Sequence, residues 1–110
     1  MKQAMFLCLT AVILVAGFTF VSMTQGQAAP ASAEQLFKQQ CAACHAGGGN
    51  VVNPKMPLKG GALLQTFASF LSQIRKPQPP MPTFAPAQIS DEQARKLYDY
   101  ILKQNESGWK

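Results

Sequence analysis

Cys41-Ala42-Ala43-Cys44-His45 lies in the first half of the 110-residue chain and sets the reading of everything around it. Two thiols three positions apart fall on one turn of a helix, where they can reach the two vinyl groups of a haem. The next residue offers an imidazole to the iron from the same side. Cys-x-x-Cys-His is the pattern of covalent attachment of haem c. Three rival readings fit the surroundings less well. A thioredoxin-type redox motif follows a strand and opens a helix, whereas here a helical pattern precedes the cysteines. A zinc site needs four ligands, and Cys41, Cys44 and His45 supply three. A disulfide between Cys41 and Cys44 closes a loop too short to constrain the chain.

Working outward, SAEQLFKQQCAA from about Ser32 to Ala43 puts Leu36, Phe37 and Gln40 at helical spacing, with Ser32 as cap and Glu34 in the first turn. The glycines at 47 to 49, with Ala46 and Asn50, end that helix. A second helix is expected from Gly61 to Arg75, where Leu63, Leu64, Phe67, Phe70, Leu71 and Ile74 recur at three and four until Pro77. A third starts at the capping box Ser90-Asp91-Glu92-Gln93 and turns Ala94, Leu97, Tyr98, Ile101 and Leu102 to one face, ending near Gln104. Between them run two loops, Ala46 to Gly60 and Lys76 to Ile89. The second carries Pro77, Pro79, Pro80, Pro82 and Pro86, so it is extended and stiff. With no alternating strand pattern and no repeat, the expected domain is all-α, with three to four helices.

The N-terminal third reads differently. Ala4 to Met23 is a 20-residue uncharged run behind Lys2, followed by small residues in Ala29-Pro30-Ala31 and Ala31-Ser32-Ala33. This is the pattern of a bacterial export signal, with cleavage after Ala31 give or take two residues. Cys8 then leaves with the signal. The same run is long enough to span a bilayer, so an uncleaved membrane anchor is the other reading of residues 1 to 31. Residues 32 to 110 form the working domain. They carry nine Lys and Arg against five acids, mildly basic, with no basic run interleaved with aromatics, which argues against nucleic-acid binding. A charge of this size can steer encounter with an acidic partner.

A domain this small buries a thin core and needs a staple. Exported domains usually use disulfides, and here the haem itself supplies the apolar surface around which short helices pack. His45 is the sole histidine, so it is the proximal ligand and the other iron face cannot carry a second His from this chain. Two methionines follow, Met56 and Met81. The ligand must arrive on the face opposite His45, which takes a helix and a return loop, and Met81 has both behind it. A Met thioether favours reduced iron, and filling both axial positions removes the open site that oxygen or peroxide chemistry needs. The expected work is electron transfer and not catalysis. If Met81 is instead displaceable, or leaves the iron open, the chain is a haem sensor or small haem enzyme.

Phe37 through CAACHAGGGNVVNP, with MPTF, SDEQ and the closing Ser107-Gly108-Trp109, resembles cytochrome c6, the class I cytochrome c family of cyanobacteria and algae. The resemblance covers nearly the whole of residues 32 to 110. It implies a small class I cytochrome c fold in which the first and last helices cross, with Phe37 and Tyr100 at the crossing and Ala33 where the family usually has Gly. It implies that Gln73 lies near the haem and affects its potential. It further implies a carrier in the thylakoid lumen or periplasm of a cyanobacterium, shuttling electrons from the cytochrome bf complex to photosystem I or a terminal oxidase. The chain departs from the family in a short His45-to-Met81 segment, in Pro77-Gln78-Pro79-Pro80 before the ligand, and in Gln88 where an Arg used for docking often stands. Divergent, low-potential carriers with other partners share the resemblance.

Overall fold

The computed structural model describes residues 30–110. The export-signal or anchor reading of residues 1 to 31, with Cys8 and the uncharged run, lies outside the described residues except at Pro30 and Ala31. Four α-helices follow in order, α1 (Ala33–Gln40), α2 (Ala42–His45), α3 (Phe67–Arg75) and α4 (Asp91–Ser107), with 3₁₀ turns at Ala46–Gly48 and Ala62–Leu64. Among the described residues there is no strand, so the domain is all-α as expected. No helix among them is long and apolar enough to cross a membrane.

The caps are made locally. Ser32 and Gln35 exchange side-chain and backbone hydrogen bonds in a capping box that opens α1, and Ser90 and Gln93 do the same for α4. Two elements differ from the sequence expectation. The first helix breaks at Cys41 (φ −120°, ψ −35°) and restarts as α2, so the two cysteines and His45 share one short turn. The second does not run unbroken from Gly61, because Thr66 takes extended backbone and accepts from the Ser69 amide. That new N-cap resets the helical phase. Leu63, expected on the buried face, is 48% exposed. Gln40, at helical spacing with the buried Leu36 and Phe37, is exposed. The last helix continues past Gln104 to Ser107, since nothing interrupts it before Gly108 at φ +88°.

The core is made by Leu36 and Phe37 of α1, Phe70 and Ile74 of α3, and Ala94, Leu97, Tyr98 and Ile101 of α4, with Leu64, Phe84 and Ile89 from the connecting segments. No polar or charged residue is buried among the described residues. The first and last helices of the described residues, α1 and α4, pack together. The Phe37 ring stands 5.7 Å from Tyr100 and 5.2 Å from Trp109, both tilted, in the geometry that aromatic pairs favour. Trp109 is fixed further by its indole N–H, which donates to the Asn105 side chain at 2.8 Å.

This seats the indole directly over Gly48. A Cβ there would come within 2.3 Å of Trp109 Nε1, and Gly48 also holds φ +74°. Gly47, at φ +61°, faces open space. Gly47→Ala is therefore expected to lose about 1 kcal/mol from left-handed backbone alone, and Gly48→Ala about 2 to 4 kcal/mol because Trp109 must also give way. Thermal unfolding of the two holoproteins side by side measures the difference.

Candidate functional site

Helix α3 packs against α4 through Phe70 and Tyr98, but α2 stands apart from α3. They leave a cavity of about 1180 Å³, above the range that holds drug-sized ligands. One wall carries Cys41, Cys44 and His45, presented by the short α2 turn. Met81 comes from the proline-rich loop and Gln73 from α3, and both line the same space. All five residues singled out from the sequence thus open onto one cavity, whose wall is otherwise mainly apolar, with Leu64, Phe70, Ile74, Phe84 and Ile101.

The α2 turn is held by backbone bonds from the Cys44 and His45 amides to the Cys41 carbonyl at 3.2 and 2.9 Å. Both thiols are free. Burial pushes the Cys41 thiol up to about 11, with the neighbouring Cys44 adding to the shift, so Cys41 is held as a neutral thiol at pH 7. The His45 ring lies with Nδ1 at 2.8 Å from the Gly49 carbonyl oxygen. A carbonyl only accepts, so Nδ1 carries the proton and donates, which leaves the lone pair on Nε2 for a metal. The Gly49 carbonyl is fixed in turn by the loop: the amide of Gly49 itself reaches back to Ala46 O at 3.1 Å, and Lys59 N donates to Gly48 O at 2.7 Å.

Asn50 organises the next loop, accepting from the Val52 and Asn53 amides at 3.1 and 3.0 Å and donating to Met56 O at 3.0 Å. This Asx arrangement sets Val52 and Met56 on the cavity rim, 58% and 66% exposed, beside Leu63. The two methionines therefore differ in surroundings. Met56 is on the open rim, whereas Met81 packs against the core and its sulfur accepts from the Gln73 amide at 3.6 Å. On the far side the Tyr98 hydroxyl donates to Leu64 O at 2.8 Å, tying the 3₁₀ turn that lines the cavity to α4.

Charge is segregated around the opening. All five acids, Glu34, Asp91, Glu92, Asp99 and Glu106, lie on α1 and α4, and residues 35 to 90 contain none. Lys55 and Lys59 line the cavity and are in no ion pair among the described residues, while four of the acids are paired with Lys38, Arg75, Arg95 and Lys96. The cavity face is therefore apolar, edged with positive charge. That pattern could not be drawn from the scattered lysines in sequence. Sequence reading also missed Phe84 and Ile89, which sit in a loop without periodicity, and Arg75.

An apolar space of this size, with two free thiols, an oriented imidazole and a thioether opening onto it, suits a covalently attached macrocycle that brings an iron. Comparison with known proteins agrees. Residues 28–101 match the family model described as cytochrome c oxidase, cbb3-type, subunit III. The cytochrome c6 of Thermostichus vulcanus is 35% identical over 114 residues, spanning 98% of this chain and 96% of that protein. The chain belongs to the cytochrome c6 family, within the c-type cytochrome domains that this family model also matches. The structure of cytochrome c6 from the diatom Phaeodactylum tricornutum is 40% identical, covering 70% of this chain and 94% of that one, with a TM-score of 0.60. OmcF, an outer membrane cytochrome F from Geobacter sulfurreducens, is 32% identical over 66% of this chain and 96% of its own, with a TM-score of 0.58. The fold is that of a class I cytochrome c, and the chain is a haem c electron carrier.

The Tyr98 tie is testable within this site. Tyr98→Phe leaves the Leu64 carbonyl without its donor, and the holoprotein is expected to lose about 1 to 3 kcal/mol in denaturant unfolding with its visible spectrum unchanged.

Proposed function

We propose that this member of the cytochrome c6 family carries single electrons with haem c tethered through Cys41 and Cys44 and with iron held by His45 and Met81. Haem c supplies the one-electron Fe(II)/Fe(III) couple. The observation that carries the reading is the shared cavity, into which the oriented His45 ring and the Met81 sulfur both open, with Gln73 donating to that sulfur. Each residue has a separate task. The Gly49 carbonyl holds the imidazole in one tautomer, and the Met81 thioether favours the reduced state. The Gln73 amide draws electron density from the sulfur and raises the potential further. His45 and Met81 together would hold the iron without leaving a position for oxygen or peroxide, which suits electron transfer and not catalysis.

For partners, we infer transient complexes with the cytochrome bf complex as donor and photosystem I or a terminal oxidase as acceptor. The apolar rim of Val52, Met56 and Leu63 supports close approach to the cofactor edge, and Lys55 and Lys59 support steering by an acidic partner surface. We further infer that residues 1 to 31 direct export to a thylakoid lumen or periplasm and that residues 32 to 110 are the mature domain.

Reduced wild-type holoprotein is expected to take up carbon monoxide slowly or not at all, while Met81→Ala binds it promptly and has a lower midpoint potential. Rapid uptake by the wild type contradicts the carrier reading and favours a sensor. Gln73→Val is expected to lower the midpoint potential by on the order of tens of millivolts with ligation intact, measured by redox titration. A Met81→Ala variant with the carbon monoxide binding and midpoint potential of the wild type excludes Met81 from iron.

A further inference from the structure

The loop that delivers Met81 has few means of holding itself in place. Five of the residues from Lys76 to Ile89 are prolines, which have no N–H to donate. Its own hydrogen bonds are short-range: Met81 N to Gln78 O at 3.2 Å, Ile89 N to Ala85 O at 3.0 Å, and Ala85 N to the Gln88 side chain at 3.0 Å. Between residues 77 and 89, Phe84 is the one position whose backbone is hydrogen-bonded to a helix. Its amide donates to Ile74 O at 2.9 Å, and its carbonyl accepts from Arg75 Nη1 at 2.8 Å.

Arg75 does a second thing with the same group. Its other terminal nitrogen meets Asp91 Oδ1 at 2.6 Å, in the first turn of α4. One planar guanidinium thus joins the last residue of α3, the middle of the loop and the start of α4. The Arg75 side chain is only 17% exposed, so its bond to a neutral carbonyl is shielded from water, whereas Asp91 is 71% exposed and its pairing is screened. The fork geometry matters, because two nitrogens in a fixed plane serve two acceptors at once, which a lysine ammonium on a flexible stem does not reproduce. Two positions before Arg75 on the same helix, Gln73 reaches the Met81 sulfur.

From this geometry we propose that Arg75 is a positioning residue for the sixth iron ligand: its grip on the Phe84 carbonyl, three residues after Met81, keeps the thioether on the iron. The proposal rests on the reading that Met81 ligates iron. Without the grip the loop keeps the Phe84 amide bond to Ile74 and the buried Phe84 and Ile89 side chains, but its one side-chain tie from α3 to the backbone near Met81 is lost, and Met81 leaves the iron more often.

The test uses the full haem-loaded protein and two spectroscopic readouts: the weak far-red Met-to-iron charge-transfer band of the oxidised state, and the rate of carbon monoxide binding to the reduced state. Arg75→Met keeps the alkyl stem and removes both bonds. It is expected to weaken the band and to speed carbon monoxide binding at least about tenfold, the factor that losing one charge-assisted hydrogen bond allows. Asp91→Asn leaves the Phe84 contact in place and is expected to change that rate less than about threefold, as befits an exposed pair. Far-ultraviolet circular dichroism checks that each variant is folded, and if Arg75→Met is not, Arg75→Lys is judged by the same criteria. A folded Arg75 variant with the band and rate of the wild type overturns the proposal. So does an Asp91→Asn effect as large as that of Arg75→Met, which would assign the loosening to the ion pair. Failure of the underlying ligation reading has a different signature, a wild-type protein that already lacks the band and binds carbon monoxide as fast as Met81→Ala, and it overturns the proposal as well.

Discussion

The buried side chains of α1, α3 and α4 converge on an apolar cavity, and the rest of this small domain is arranged around that constraint. Leu64, Phe70, Ile74, Phe84 and Ile101 belong both to the core and to the cavity wall, so the apolar surface that holds the helices together is the surface a haem would complete. No disulfide braces the described residues, since Cys41 and Cys44 are both free. A haem tethered through the α2 turn would therefore serve both stability and electron transfer. The Phe37, Tyr100 and Trp109 cluster joins α1 to the end of α4, with Phe37 also lining the cavity.

Around the cavity, short polar contacts do the aiming. The Gly49 carbonyl orients His45, Gln73 addresses the Met81 sulfur, and Asn50 shapes the rim loop. None of these contacts contributes much to stability alone, because each is a single hydrogen bond with a net worth of about 1 kcal/mol. Their effect is on which atom faces the cavity. The segregation of all five acids to α1 and α4 leaves the opening edged by Lys55 and Lys59, so the same arrangement gives the cavity opening a sign.

Much of this was legible in the residues. Cys-x-x-Cys-His carried the cofactor, the Ser90 to Gln93 capping box carried α4, and the spacing of Leu97, Tyr98 and Ile101 carried its buried face. Where the reading failed, a local interaction overrode periodicity. Thr66 caps α3 and so throws Leu63 out of phase onto the rim, and Cys41 breaks the first helix so that α2 can turn both thiols and His45 to the cavity. Phe84, Ile89 and Arg75 gave no signal because their roles depend on partners distant in sequence or on a loop with no period. The charge pattern emerged only once the helices were packed.

The central claim, that His45 and Met81 hold the iron of a haem c carrier, is tested most directly by spectroelectrochemical titration of the wild-type mature holoprotein, following the far-red charge-transfer band through the midpoint. The account predicts a band present in the oxidised state that disappears with reduction in a single one-electron step. Absence of that band from the native oxidised protein would contradict it, taking Met81 off the iron and with it the reading of this cavity as a closed electron-transfer site.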